Sequence, residues 1–375
     1  MAILIDSNFP GGNIILEGMD GNNIRLRQDL RDTEGHWFYW CFRVRGAAGK
    51  SLNFHFSTAK WVAARGPAVS LDQGESWRWL GAESVSGQCF SYTFPKDADD
   101  VRFSFALPYQ QSHLERFLSR YKSEPHLRKE TLCVTRKGRL VERLRLNNPS
   151  SGAKRKVIIT ARHHCCEMIA NYAIEGIIET ALSDSDAGRW YRSAVDLAVI
   201  PFVDKDGVED GDQGKNRRPR DHGRDYAPPH VHVETEAIIR YVDEWSPGGM
   251  DIALDLHCPY IRGTWNENIY VVGGDSELNA QEERAFVEIL ANAVRGPLPF
   301  RREDGYLPFG NAWNIAKNYS QGMGFKRWST SLPNTRLSCS FELPYANVLG
   351  AEVTADAARA FGRDLADAMR QYLSR

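Results

Sequence analysis

His164, Cys165, Cys166 and Glu167 spell His-x-x-Glu directly after the apolar run 157–161. In a helix, an imidazole and a carboxylate at i, i+3 leave one face together. Such a pair can fill two of the three protein positions of an open, catalytic zinc site. Three further apolar runs also end in chemistry. Residues 197–203 lead into Asp204-Lys205-Asp206-Gly207 and then the basic segment 215–224; residues 252–256 end at His257; residues 337–341 end at Glu342. In an open α/β sheet, ligands gather at the carboxyl ends of the strands. Four polar clusters, each just downstream of a strand-like run, therefore converge on one rim. The pattern predicts a metal site of His164, Glu167 and His257, with Glu342 beside it as an acid/base.

The elements that must position these groups fall into two zones. Residues 1–120 read as an all-β sandwich, with short alternating or aromatic runs at 13–16, 23–26, 36–44, 52–56, 88–93 and 101–105 separated by Gly, Asp, Ser and Pro. Trp37-Phe38-Tyr39-Trp40 is aromatic at successive positions. It predicts a strand buried on both sides rather than a base-stacking platform, because no basic residue is interleaved. A connecting helix is expected at 112–121 and a β-hairpin around 132–146, followed by a turn at 147–152. From there strands alternate with helical patterns at 167–182, 233–244, 280–294 and 356–373. That alternation predicts an α/β domain over 121–375, a mixed or parallel sheet with helices on both faces.

The chain's 375 residues suffice for two or three domains. A formal net charge of −1 supplies no global field for nucleic acid or an anionic membrane surface. No apolar run is long enough to span a bilayer, and the first residues lack a secretory pattern. Seven cysteines, an odd number without a paired framework, fit a reducing cytoplasm with buried, inert thiols. Cys165, Cys166 and Cys258 adjoin proposed ligands but are not read as ligands themselves. Lys215, Arg217, Arg218, Arg220 and Arg224 form a dense cationic run whose place beside the site would attract acidic substrates. Asp212, Asp221 and Asp225 dilute that run, and no extended basic surface accompanies it, so nucleic acid is a poor fit. His222, His230 and His232 could suggest a second metal site; a stiff loop around Pro228-Pro229 favours reading them as surface histidines.

The order His164-x-x-Glu167, then His257 after a strand, then Glu342 in Ser340-Phe341-Glu342 resembles the zinc carboxypeptidase family. More narrowly, it is similar to the cytosolic carboxypeptidase branch and its bacterial relatives, which place a small β-sandwich before the catalytic domain. Phe9-Pro10-Gly11-Gly12-Asn13-Ile14, Trp37-Phe38-Tyr39, Phe42-Arg43-Val44 and Pro108-Tyr109 carry that part of the likeness. The resemblance implies one zinc ion on His164, Glu167 and His257, with Glu342 as general base and acid. Asp221-His222-Gly223-Arg224 falls where the family has Asp-x-Asn-Arg, so Arg224 inherits the clamp on the substrate's terminal carboxylate and Asp221 the orientation of the first metal histidine. Arg217 inherits the oxyanion role, with Arg218 and Arg220 as competitors. Gly223 departs from the family's asparagine and removes a carboxylate-binding amide. The implied activity is a metallocarboxypeptidase acting on peptide or protein C-termini, and the cationic run beside the site points to acidic ones. An amidase or deacylase on N-acyl amino acids or cell-wall peptides is the alternative, and an inactive peptide-binding module the reading of another class. Oligomeric state is not legible.

Overall fold

The computed structural model describes residues 2–57, 62–147, 152 and 155–375; most of the expected turn at 147–152 lies outside them. The amino-terminal zone folds as two five-stranded sheets. Period-two burial builds them: Ser51–Phe56 turns Leu52, Phe54 and Phe56 inward, and Cys89–Thr93 does the same with Phe90 and Tyr92. Phe42, Phe54, Phe90 and Phe103 meet between the sheets with ring centroids 4.7–5.5 Å apart. The strand expected at 36–44 is shorter, Cys41–Arg45. Phe38, Tyr39 and Trp40 are buried as expected, but their backbone is irregular. Side chains take over the ladder's work there: the Tyr39 N–H donates to Gln213 Oε1 at 2.6 Å, and Gln28 Nε2 donates to the Trp37 carbonyl at 2.9 Å.

After the helix Gln111–Ser119 comes an eight-stranded mixed sheet. Its four central strands are parallel, in the order Val195–Ile200, Arg155–Ala161, Ile252–His257 and Leu337–Glu342. The antiparallel pair Leu127–Val134 and Leu140–Leu146 extends one edge, and Tyr270–Val272 with Tyr306–Leu307 the other. Arg155–Ala161 buries Val157, Ile159 and Ala161 with the helices Ile169–Leu182 and Ala355–Leu373, and Ile158 with Val233–Trp245 and Phe325–Thr330. Burial on both faces is why these strands read as continuous apolar runs. The chain leaves Arg155–Ala161 towards one neighbour and returns on the other side, so the strand order reverses there. The carboxyl ends at Ala161, Ile200, His257 and Glu342 lie on one edge, at that switch point.

Candidate metal centre

His164–Glu167 is a turn rather than the helix face expected: the Glu167 N–H donates to the His164 carbonyl at 3.2 Å, and the helix begins only at Ile169. A single turn brings i and i+3 together as a helix does, so the pairing persists. Arg162, left-handed at φ 64° and fully buried, staples it. Its guanidinium donates to the Cys165 carbonyl, the Tyr109 carbonyl and Asn171 Oδ1, each at 2.8 Å.

His164 Nδ1 lies 3.0 Å from Glu167 Oε1, and His257 Nδ1 lies 2.7 Å from Oε2 of the same carboxylate. Strand register sets His257 opposite Glu342. The outward nitrogens face carboxylates: His257 Nε2 donates to Asp255 Oδ2 at 2.7 Å, and His164 Nε2 is 3.6 Å from Asp221 Oδ1. This holds both Nδ1 lone pairs inward. Asp255 is a residue the sequence reasoning missed. Its signal was the spacing, since residues two apart on a strand share a face. Its other oxygen accepts from Thr160 Oγ1 at 2.9 Å and from His163 Nδ1 at 2.8 Å, while His163 Nε2 accepts from the Tyr226 hydroxyl at 2.6 Å. Both nitrogens of His163 are thereby used.

Burial alone would raise the pKa values of Asp221, Asp255 and Glu167, yet all three are lowered. His164 outweighs burial at Asp221, His163 and His257 do so at Asp255, and Lys215 with both imidazoles does so at Glu167. Glu342 moves the other way, pushed up to about 7 by burial, and its Oε2 is buried without a hydrogen-bond partner. Two imidazoles and one carboxylate, whose ligand atoms lie within 4.8 Å of one another, suit a divalent ion of borderline softness, and the unsatisfied Glu342 oxygen fits a water beside it. All seven cysteines are free, and Cys165 Sγ donates to the Asp212 carbonyl at 3.0 Å.

A cleft of about 530 Å³ opens from this centre, with Glu342, Lys215, Arg224, Tyr319, Asn266 and the sandwich's Trp37 among its lining. Lys215 was read only as part of the cationic run, with no role of its own. Its ammonium sits 2.6 Å from Glu167 Oε1, donates to the Cys258 carbonyl at 3.1 Å and lies 5.2 Å from the Trp37 ring centroid. Gly214 before it is left-handed (φ 78°), and a Cβ there would come within 2.5 Å of the Cys165 amide nitrogen. Arg224 donates to the Gly223 carbonyl at 2.9 Å, lies over Tyr319 at 5.1 Å, and makes no ion pair among the described residues. A smaller cavity of about 180 Å³ shares Arg224, His257 and Tyr319 with the cleft and adds Phe325, Lys326 and Arg327.

Arg217, expected as the oxyanion donor, lies among carboxylates. Its guanidinium does not line the cleft. It is shared among Asp32 at 2.9 Å, Asp212 at 2.7 Å and Asp204, tying the amino-terminal sheets to the loop after Val195–Ile200. Three carboxylates outcompete an open cavity for one guanidinium. Arg218 pairs with Glu34 and Arg220 with Asp225 at 3.0 Å, so neither replaces it. Gly223 has a steric reason: a Cβ there would lie 3.0 Å from His164 Nε2 and 3.2 Å from Asp221 Oδ1.

Residues 114–228 match the family model described as zinc carboxypeptidase. Among characterised relatives, cytosolic carboxypeptidase 2 of Danio rerio is 25% identical over 80% of this chain and 47% of its own length. The Xenopus tropicalis protein of the same name is 26% identical over 88% of this chain and 37% of its own. The chain thus spans less than half the length of these relatives. A metallo-carboxypeptidase from Burkholderia cenocepacia superposes with a TM-score of 0.81 at 21% identity, covering 100% of this chain and 99% of the other, which shows the same fold.

Proposed function

We propose that this chain, whose residues 114–228 match the zinc carboxypeptidase model, removes C-terminal residues from peptides or proteins by metal-assisted hydrolysis. The observation that carries the reading is the shared cleft: His164, Glu167 and His257 at one point, Glu342 beside them, and Arg224, without an ion pair among the described residues, in the same lining. His164, Glu167 and His257 would hold one zinc ion, which supplies Lewis acidity and lowers the pKa of a bound water towards roughly 7.

Glu342 accepts the proton of the attacking water and passes it to the departing amine. Its burial suits a group that must carry a proton in both directions near neutrality. Arg224 takes the substrate's terminal carboxylate in a two-point pair. Lys215, rather than Arg217, stands where charge would develop on the carbonyl oxygen, since its ammonium reaches the cleft and the Arg217 guanidinium does not. Asp221 and Asp255 orient the two imidazoles. The smaller cavity takes the C-terminal side chain; with Arg224, its Lys326 and Arg327, though paired with Glu283 at 2.8 Å and Asp275 at 3.2 Å, support an acidic one. The sandwich, residues 1–120, contributes Trp37 to the cleft of the domain spanning 121–375.

Zinc-loaded wild-type protein is expected to cleave peptides with free C-termini, terminal glutamate faster than leucine, and Glu342→Gln to retain the metal while losing turnover by at least 10²-fold. Gly223 favours a second reading. The missing amide would loosen the grip on a terminal carboxylate and suit an amidase or deacylase. Equal turnover of free and amidated C-termini would select it.

A further inference from the structure

His222, His232 and Glu234 form a second cluster, and His222 lies between Asp221 and Arg224 in the chain. We propose that these three side chains bind a second divalent cation of the zinc type, distinct from the one at His164. Their ligand atoms lie within 4.8 Å of one another. His222 and Glu234 are buried at 3% and 4% exposure, so the cluster is not the set of surface histidines expected of this loop.

One nitrogen of His232 is taken by a hydrogen bond, and His222 keeps a bare one. His232 Nε2 donates to the Arg220 carbonyl at 2.7 Å, so its Nδ1 is the bare nitrogen. His222 Nδ1 has no hydrogen-bond partner and faces the buried carboxylate of Asp204 at 3.7 Å, while its Nε2 lies 3.5 Å from Glu234 Oε2. That distance is long for a hydrogen bond to a carboxylate. It is close to the edge, about 3.3 Å, that separates two ligand atoms on one tetrahedral zinc ion. A carboxylate behind one imidazole and a backbone carbonyl behind the other are the outer partners that metal-bound histidines ordinarily keep. The two rings are stacked, centroids 3.6 Å apart at 20°, so ligation by both requires one to turn about χ2, a soft torsion in histidine.

The cation would join two elements. His222 opens the 3-10 turn His222–Arg224, and Glu234 lies in the first turn of the helix Val233–Trp245. Between them Asp225 anchors the chain entering that helix, accepting from the Val231 and His232 amides at 3.0 and 2.8 Å. A metal cross-link here would pin the cleft wall that presents Asp221 and Arg224.

The test uses the full chain, stripped with a chelator and titrated with zinc alone. Wild-type protein is expected to take up two equivalents, His257→Ala one, and His232→Asn one. Glu234→Gln, a near-isosteric change, also drops to one and guards against a folding artefact in the histidine variant. Occupancy of this site should raise the melting temperature, so the single equivalent taken up by His257→Ala stabilises that variant. One equivalent in wild-type protein that His232→Asn keeps, or two equivalents in both His232→Asn and Glu234→Gln, overturns the proposal. One equivalent that His257→Ala keeps and His232→Asn loses upholds this site and removes the first instead.

Discussion

Replacing Arg217 and Lys215 separately by alanine divides stability from catalysis. Arg217 faces Asp204 and Asp212, at 2% and 9% side-chain exposure, and the half-exposed Asp32. Removing it strands buried negative charge, and breaking a buried pair costs roughly 3–5 kcal/mol. Asp32 adds little, being 40% exposed, and Arg31 still neutralises part of Asp212. The lower end, about 3 kcal/mol, is therefore the expected loss in a urea titration of Arg217→Ala. Lys215→Ala removes the cation paired with Glu167 in the cleft. A lost oxyanion donor costs on the order of 3 kcal/mol of barrier, or 10²–10³ in kcat. The assay is hydrolysis of a chromogenic N-acyl dipeptide by zinc-loaded protein below its unfolding transition, with metal content measured for each variant. Lys215→Ala should lose turnover with zinc retained, and Arg217→Ala should keep turnover within about tenfold. The opposite outcome, with Arg217→Ala inactive at wild-type stability and Lys215→Ala active, would return the oxyanion role to Arg217 and refute the placement argument.

Three further outcomes are expected. Gly223→Ala drives a Cβ against His164 Nε2 and Asp221 Oδ1, so zinc affinity by chelator competition should fall about 10–100-fold, as when an orienting partner of a metal histidine is lost. Arg224→Lys should lower kcat/KM for peptides with free C-termini and leave amidated ones unchanged, because an ammonium cannot make the two-point pair. His113 is pushed down to about 4 by burial, with Nδ1 accepting from the Gln110 amide at 3.2 Å and Nε2 donating to the Gly74 carbonyl at 3.0 Å. The unfolded chain then binds that proton more readily than the folded one, so this contribution is whole above pH 6.5 and is lost as pH falls towards 4. Between pH 7 and pH 5 the wild-type protein should lose about 2 kcal/mol through this group, by urea titration, and His113→Gln should flatten that slope.

How much of this was legible depends on whether the chemistry left a local pattern. The four parallel strands were readable because burial on both faces makes unbroken apolar runs, and their downstream residues were found by asking what lies at a carboxyl edge. The helix Phe325–Thr330 was not, since six residues carry no periodicity of their own, and Asp186–Ala194 was hidden by a polar sequence around the single buried ring Tyr191. Arg217 and Lys215 differ by two positions in one cationic run, and nothing in the run distinguishes them. What separates them is remote: Asp32, from a turn in the sandwich, and Asp204 and Asp212 draw the arginine away, while left-handed Gly214, pressed against Cys165, aims the lysine inward. A residue's role in this cleft is thus decided by which distant carboxylates compete for it. That competition is a property of the closed fold, invisible to spacing, and the Arg217 and Lys215 substitutions measure its two sides independently.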